Sequence, residues 1–91
     1  GGAVLGLMPE AAIERLLGAK LPSPSAARGV PRVELYVVLP DAATYHARAL
    51  AAGAVQLSPP SLRSWGHRAA YSLDPDGHVL AFATEEAAGA V

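Results

Sequence analysis

Four consecutive residues, Asp74-Pro75-Asp76-Gly77, restrict the fold more than any others in the chain. Pro75 presets its backbone for a turn, and Gly77 can take a positive φ at no steric cost. Two short runs flank them, residues 67–73 (HRAAYSL) and 78–84 (HVLAFAT), each of strand length. This reads as a β-hairpin. Trp65-Gly66 stands ahead of it, a large aromatic followed by a flexible joint. The rest of the chain is read as packing against this hairpin.

Residues 32–39, RVELYVVL, are rich in β-branched and aromatic side chains and read as a strand. A period of two puts Val33, Leu35, Val37 and Leu39 on one face and Glu34, Tyr36 and Val38 on the other. Pro40 ends the strand, and Asp41 is a good N-cap for a helix over 42–52. Gly53 falls where a helix stops, and Tyr45, Ala49 and Ala52 share a helical face. Residues 54–57 read as a short strand, and 58–63, with Pro59-Pro60, as an irregular connection. The order is β-α-β-β-β, an α+β unit over 32–84, with residues 85–91 as a frayed Ala/Gly-rich tail.

Upstream, residues 2–8, GAVLGLM, read as a strand interrupted by Gly6. Pro9 suits a first helical position, and Glu10 suits the positive end of the helix dipole. Ile13, Leu16 and Leu17 form one stripe before Gly18 ends the helix. Residues 1–21 therefore read as an end strand of a preceding module plus a linking helix. Residues 22–31, with three prolines, read as a linker.

The chain has 91 residues, 52% of them apolar, which suits one globular domain or part of one. Most of that apolar content is Ala, Val and Leu, so extra core is expected from a partner subunit or an absent segment. Seven basic and eight acidic residues give a net charge of −1 with no block of like charge. That argues against nucleic-acid or membrane surfaces as partners. The absence of cysteine removes disulfides and thiolate metal sites. No apolar run approaches the ~20 residues of a membrane span, and no signal peptide is visible, so a cytoplasmic location is expected. The Gly1-Gly2 start reads as a processed, proteolysed or excised chain.

The run ELYVVLPDAATYHARALAAGA, followed by WGHRAAYSLDPDGHVLAF, resembles the glyoxalase/bleomycin-resistance/extradiol-dioxygenase group, the vicinal oxygen chelate superfamily. The matching features are the strand ending at Asp41, the helix closing at Ala52-Gly53-Ala54, Trp65-Gly66-x-Arg68, and the Asp74–Gly77 turn. The resemblance implies paired β-α-β-β-β modules whose mixed sheets form a cup around a ligand, with the second module supplied by another chain or by a missing N-terminal part. Metal-dependent relatives carry ligands at positions matching Glu34 and Ala81, and more loosely Gly6. Ala and Gly offer no side-chain donor, and one carboxylate does not make a divalent site. No metal and no cofactor are expected, and Glu34 is read as a polar cup residue, solvated or paired with a cation such as Arg68. His46 is read as solvated, and His78 as a surface or turn residue. His67 either reaches a ligand at the cup mouth or is a solvated residue at the strand start.

The residues left to carry function are Glu34, Tyr36, Trp65, His67, Arg68 and Tyr71. Aromatic walls with few charges suit a planar or apolar guest. Tyr71 could equally be packing, and Trp65 could be a dimer contact. The expectation is a protein that binds a small organic molecule without bond chemistry, as a homodimer or paired with an N-terminal module. The alternative is a metal-dependent lyase, isomerase or ring-cleaving dioxygenase with ligands from that absent module. A third reading is a fragment whose only role is assembly.

Overall fold

The structure is a computed structural model that describes residues 2–26, 31 and 33–86. The chain divides into two compact units, Gly1–Val30 and Pro31–Val91. The second unit holds a four-stranded sheet: β1 (Glu34–Val38), β2 (Val55–Leu62), β3 (His67–Leu73) and β4 (Val79–Glu85), in the spatial order β1-β4-β3-β2. β3 and β4 pair antiparallel at its centre, with Tyr71 opposite Ala81 and Arg68 opposite Thr84. β1 runs parallel to β4, and β2 antiparallel to β3. The expected mixed-sheet α+β module is the one observed.

The turn between β3 and β4 forms as its residues dictate. Gly77 has φ 89°. The Asp74 carboxylate accepts the backbone N–H groups of Asp76 and His78 at 2.9 and 2.8 Å. Partial burial alone would raise its pKa, but these bonds and the His78 ring together hold it below the usual carboxylate value. His78 is exposed and lies 3.1 Å from that carboxylate.

The crossover from β1 to β2 is α1 (Ala42–Ala51). Asp41 caps it, accepting the Thr44 N–H at 3.2 Å and the Thr44 hydroxyl at 2.6 Å. The helix lies on the sheet face that carries Phe82, Thr84 and Gln56. The Tyr45 ring is 6.3 Å from that of Phe82, the Ala42 N–H donates to the Thr84 hydroxyl at 2.8 Å, and His46 bonds Gln56 at 2.9 Å. One sequence reading changes here. His46 is buried, 3% exposed, rather than solvated. The helix is rotated so that Ala42 meets the sheet, and position i+4, His46, follows it inward.

β2 is longer than the expected 54–57 and takes in the Pro59-Pro60 stretch read as irregular. An edge strand tolerates proline, because its outer N–H groups need no ladder partner. Its register slips twice, between Gln56 and Ser58 and again between Ser58 and Ser61. Each slip adds one residue against β3, the signature of a bulge. At the other end β4 runs one residue past Thr84, and the Glu86 N–H bonds the Gly66 carbonyl at 3.2 Å, so 85 and 86 are not frayed. Residues 87–91 of the expected tail lie outside the described residues, as do 27–30 and 32.

The core is small. Ala42, Ala69, Ala70, Ala81 and Ala83 are buried, and the largest side chain with no exposure is Ser72. Large apolar residues remain about half exposed, Val38 at 50% and Trp65 at 54% among them. At ~25 cal/mol per Å² of buried apolar surface, an alanine core contributes little per residue.

In the first unit, a second helix, α2, spans Glu10–Leu17. Pro9 sits at its N-cap rather than inside its first turn, and Gly18 ends it at φ 55°. Residues 2–8 form no strand, with Val4 98% and Leu7 88% exposed. A strand needs a neighbour for its ladder, and the described residues of this unit offer none. Single 3₁₀ turns follow at Gly18–Lys20 and Pro24–Ala26. Among the described residues, no helix is long and apolar enough to cross a membrane.

Candidate functional site

The sheet face opposite α1 gathers most of the chemistry-bearing side chains. Alternation along paired strands puts Tyr36, Ala81 and Tyr71 in one row across β1, β4 and β3. Glu34, Val79 and Leu73 form the row on one side of it, and Val38, Ala83 and Ala69 the row on the other. The three alanines are fully buried between larger neighbours. They form a low floor from which the aromatic rings rise.

A tight turn places the indole. The Arg63 N–H donates to the His67 carbonyl at 2.8 Å, the Gly66 N–H donates to the Arg63 carbonyl at 3.1 Å, and Gly66 takes φ 93°. This returns Trp65 over β1, where its Nε1–H donates to Tyr36 Oη at 2.9 Å. Tyr36 Oη in turn lies 2.7 Å from His67 Nδ1, and the two rings stack with centroids 5.8 Å apart. His67 Nε2 is 3.9 Å from the Glu85 carboxylate. Three of the residues singled out in the sequence are thus joined in one hydrogen-bonded line, although 31 positions separate two of them.

Tyr71 stands beside this line, across Ala81 from Tyr36. Burial raises its pKa above the ordinary phenol value, and the nearby Glu34 and Tyr36 add to that, while Arg63 opposes it. Arg63 was read as part of an irregular connection, yet it organises this end of the sheet. Its guanidinium lies 5.1 Å from the Tyr71 ring centroid. Its Nη2 donates to the Ser58 hydroxyl at 2.8 Å and to the Ala69 carbonyl at 2.9 Å. Nothing in the local sequence marks it, because its partners come from a bulged strand and from β3. A depression of about 300 Å³ opens near the end of β1, lined by Val38, Leu39, Pro40, Thr84 and Glu85.

Arg68 does not join the set. It is the neighbour of His67 along β3, so it points to the helix-bearing face. Its Nε bonds the Glu86 carboxylate at 2.7 Å, and the pairing with Glu34 read from the sequence is not made. Glu34 shares the face of Tyr36 but sits opposite Val79, toward the other end of β4 from His67 and Glu85. Among the described residues no three His, Cys, Asp or Glu side chains converge as a metal site would need. Ala81, in the row next to Glu34, offers no side-chain donor, so the described residues around Glu34 do not fit a divalent ion.

No family model and no curated protein matches the chain. Among solved structures it is similar to TioX from Micromonospora sp. ML1, seen in a crystal structure, with 28% sequence identity and a TM-score of 0.52. The likeness covers 67% of this chain and 50% of the TioX chain. The chain therefore matches half the length of that protein.

Proposed function

We propose that this chain is one module of a glyoxalase/bleomycin-resistance-like protein of the vicinal oxygen chelate type. It binds a small organic molecule on the sheet face opposite α1. The reading rests on one arrangement above all, the Trp65–Tyr36–His67 line beside Tyr71 over a floor of alanines. The half-exposed Trp65 indole beside the partly buried rings of Tyr36, His67 and Tyr71 makes a surface that a planar guest can cover. Stacking and burial hold the guest, and no bond is made or broken. The likeness to half of the TioX chain supports a second module completing the site, supplied by a second copy of this chain or by a further segment.

Trp65 is the sole tryptophan, so its emission reports this face alone. Titrating the chain with a panel of planar aromatic compounds is expected to give saturable quenching or a spectral shift with at least one of them. An unresponsive Trp65 across a chemically varied panel would overturn the reading.

A further inference from the structure

The Tyr36 hydroxyl has one proton to give, and the surrounding groups settle where it goes. Trp65 Nε1 is a donor only, so Tyr36 Oη accepts at that contact. A neutral imidazole carries one proton, on either nitrogen. The negative charge of Glu85, 3.9 Å from Nε2 and beyond hydrogen-bond distance, favours the proton on that side electrostatically. Nδ1 is then an acceptor, and Tyr36 must donate to it across the 2.7 Å contact. One lone pair on Tyr36 Oη remains unused.

We propose that Tyr36, held as a donor to His67 and an acceptor from Trp65, offers the guest only an acceptor, so the site selects planar aromatic molecules that carry a hydroxyl or N–H donor. This rests on the binding role proposed above and names the ligand chemistry. An aromatic ether of the same shape cannot donate to that lone pair, so it lacks the net contribution of one hydrogen bond.

Two measurements on the intact chain test this. Nitrogen-15 NMR of the imidazole at about pH 8, where an ordinary histidine is neutral, is expected to show His67 as the Nε2–H tautomer. The Nδ1–H tautomer would overturn the inference without any ligand. In the second, 2-naphthol and 2-methoxynaphthalene are titrated while the Trp65 indole N–H resonance is followed. The naphthol is expected to bind roughly threefold to tenfold tighter, the size of one net hydrogen bond. Tyr36→Phe is expected to erase the difference. Equal binding of both probes to the unaltered chain would sink this inference and leave the binding role standing. Binding of neither would sink both.

Discussion

Tyr36 holds two hydrogen bonds to groups from a different part of the chain, so its hydroxyl ties β1 to the start of β3. Tyr36→Phe keeps the ring and removes both. The expected cost is about 1–2 kcal/mol of unfolding free energy, with a shift in Trp65 emission, read by chemical denaturation followed at the indole. Arg63 is the other residue of consequence. Arg63→Met keeps much of the stem but loses the bonds to Ser58 and Ala69 and the contact with Tyr71. A loss of about 2 kcal/mol is expected, since bonds from a charged donor are among the stronger ones. Amide exchange in β2 should quicken more than exchange in β1. Equal quickening in both strands would show that Arg63 does not act through the bulge.

At the level of single elements, the two carboxylates that begin α1 and close the hairpin have the same logic. Asp41 is held below its ordinary pKa first by the Thr44 hydroxyl and then by the Thr44 N–H. Asp74 is likewise lowered on balance by its bonds to His78 and Asp76. A carboxylate whose folded pKa is depressed stabilises the fold fully above its unfolded value of about 3.9. That stability is lost as pH falls through the lower folded value. Acid unfolding should therefore begin below about pH 4 and start at the helix N-terminus and the β3–β4 turn. Residue-resolved amide exchange along a pH series checks this, and Asp74→Asn should blunt the change at the turn. The elements themselves were largely legible. Pro40-Asp41, Gly53 and the Asp74–Gly77 turn act locally, through backbone preferences that each carries wherever it stands. β2 was underestimated because Pro59-Pro60 argues against a strand, and only its place at a sheet edge makes it acceptable.

For the whole molecule, the thin alanine core and the half-exposed Val38, Leu57 and Trp65 leave much apolar surface in contact with water. Among the described residues β1 is an edge strand with an unpaired side. Both favour association, and sedimentation of the chain at micromolar concentration is expected to show a dimer. Val38→Lys, which puts a charge on the exposed end of β1, should shift the population toward monomer. A chain that sediments as a monomer at every concentration would count against the proposed pairing of modules.

The sequence by itself determined the α+β order of the elements, the hairpin and its turn, and the candidates Tyr36, Trp65, His67 and Tyr71 for one region of the fold. These follow from local rules, because turn chemistry, capping and strand alternation depend on near neighbours. Only the tertiary structure decided which candidates meet. Parity alone placed Tyr36 on a face, but the parallel pairing of β1 with β4 brought it within 2.7 Å of His67. Alternation along β3 turned Arg68 to the other face, where Glu86 takes it. Packing of α1 on the sheet buried His46, and the pairing of β2 with β3 gave Arg63 partners that no local pattern could announce. The Asp74–Gly77 turn fixes how β3 and β4 face each other. The hydrogen-bonded line at the site depends besides on where β1 comes to rest, and that is a long-range contact.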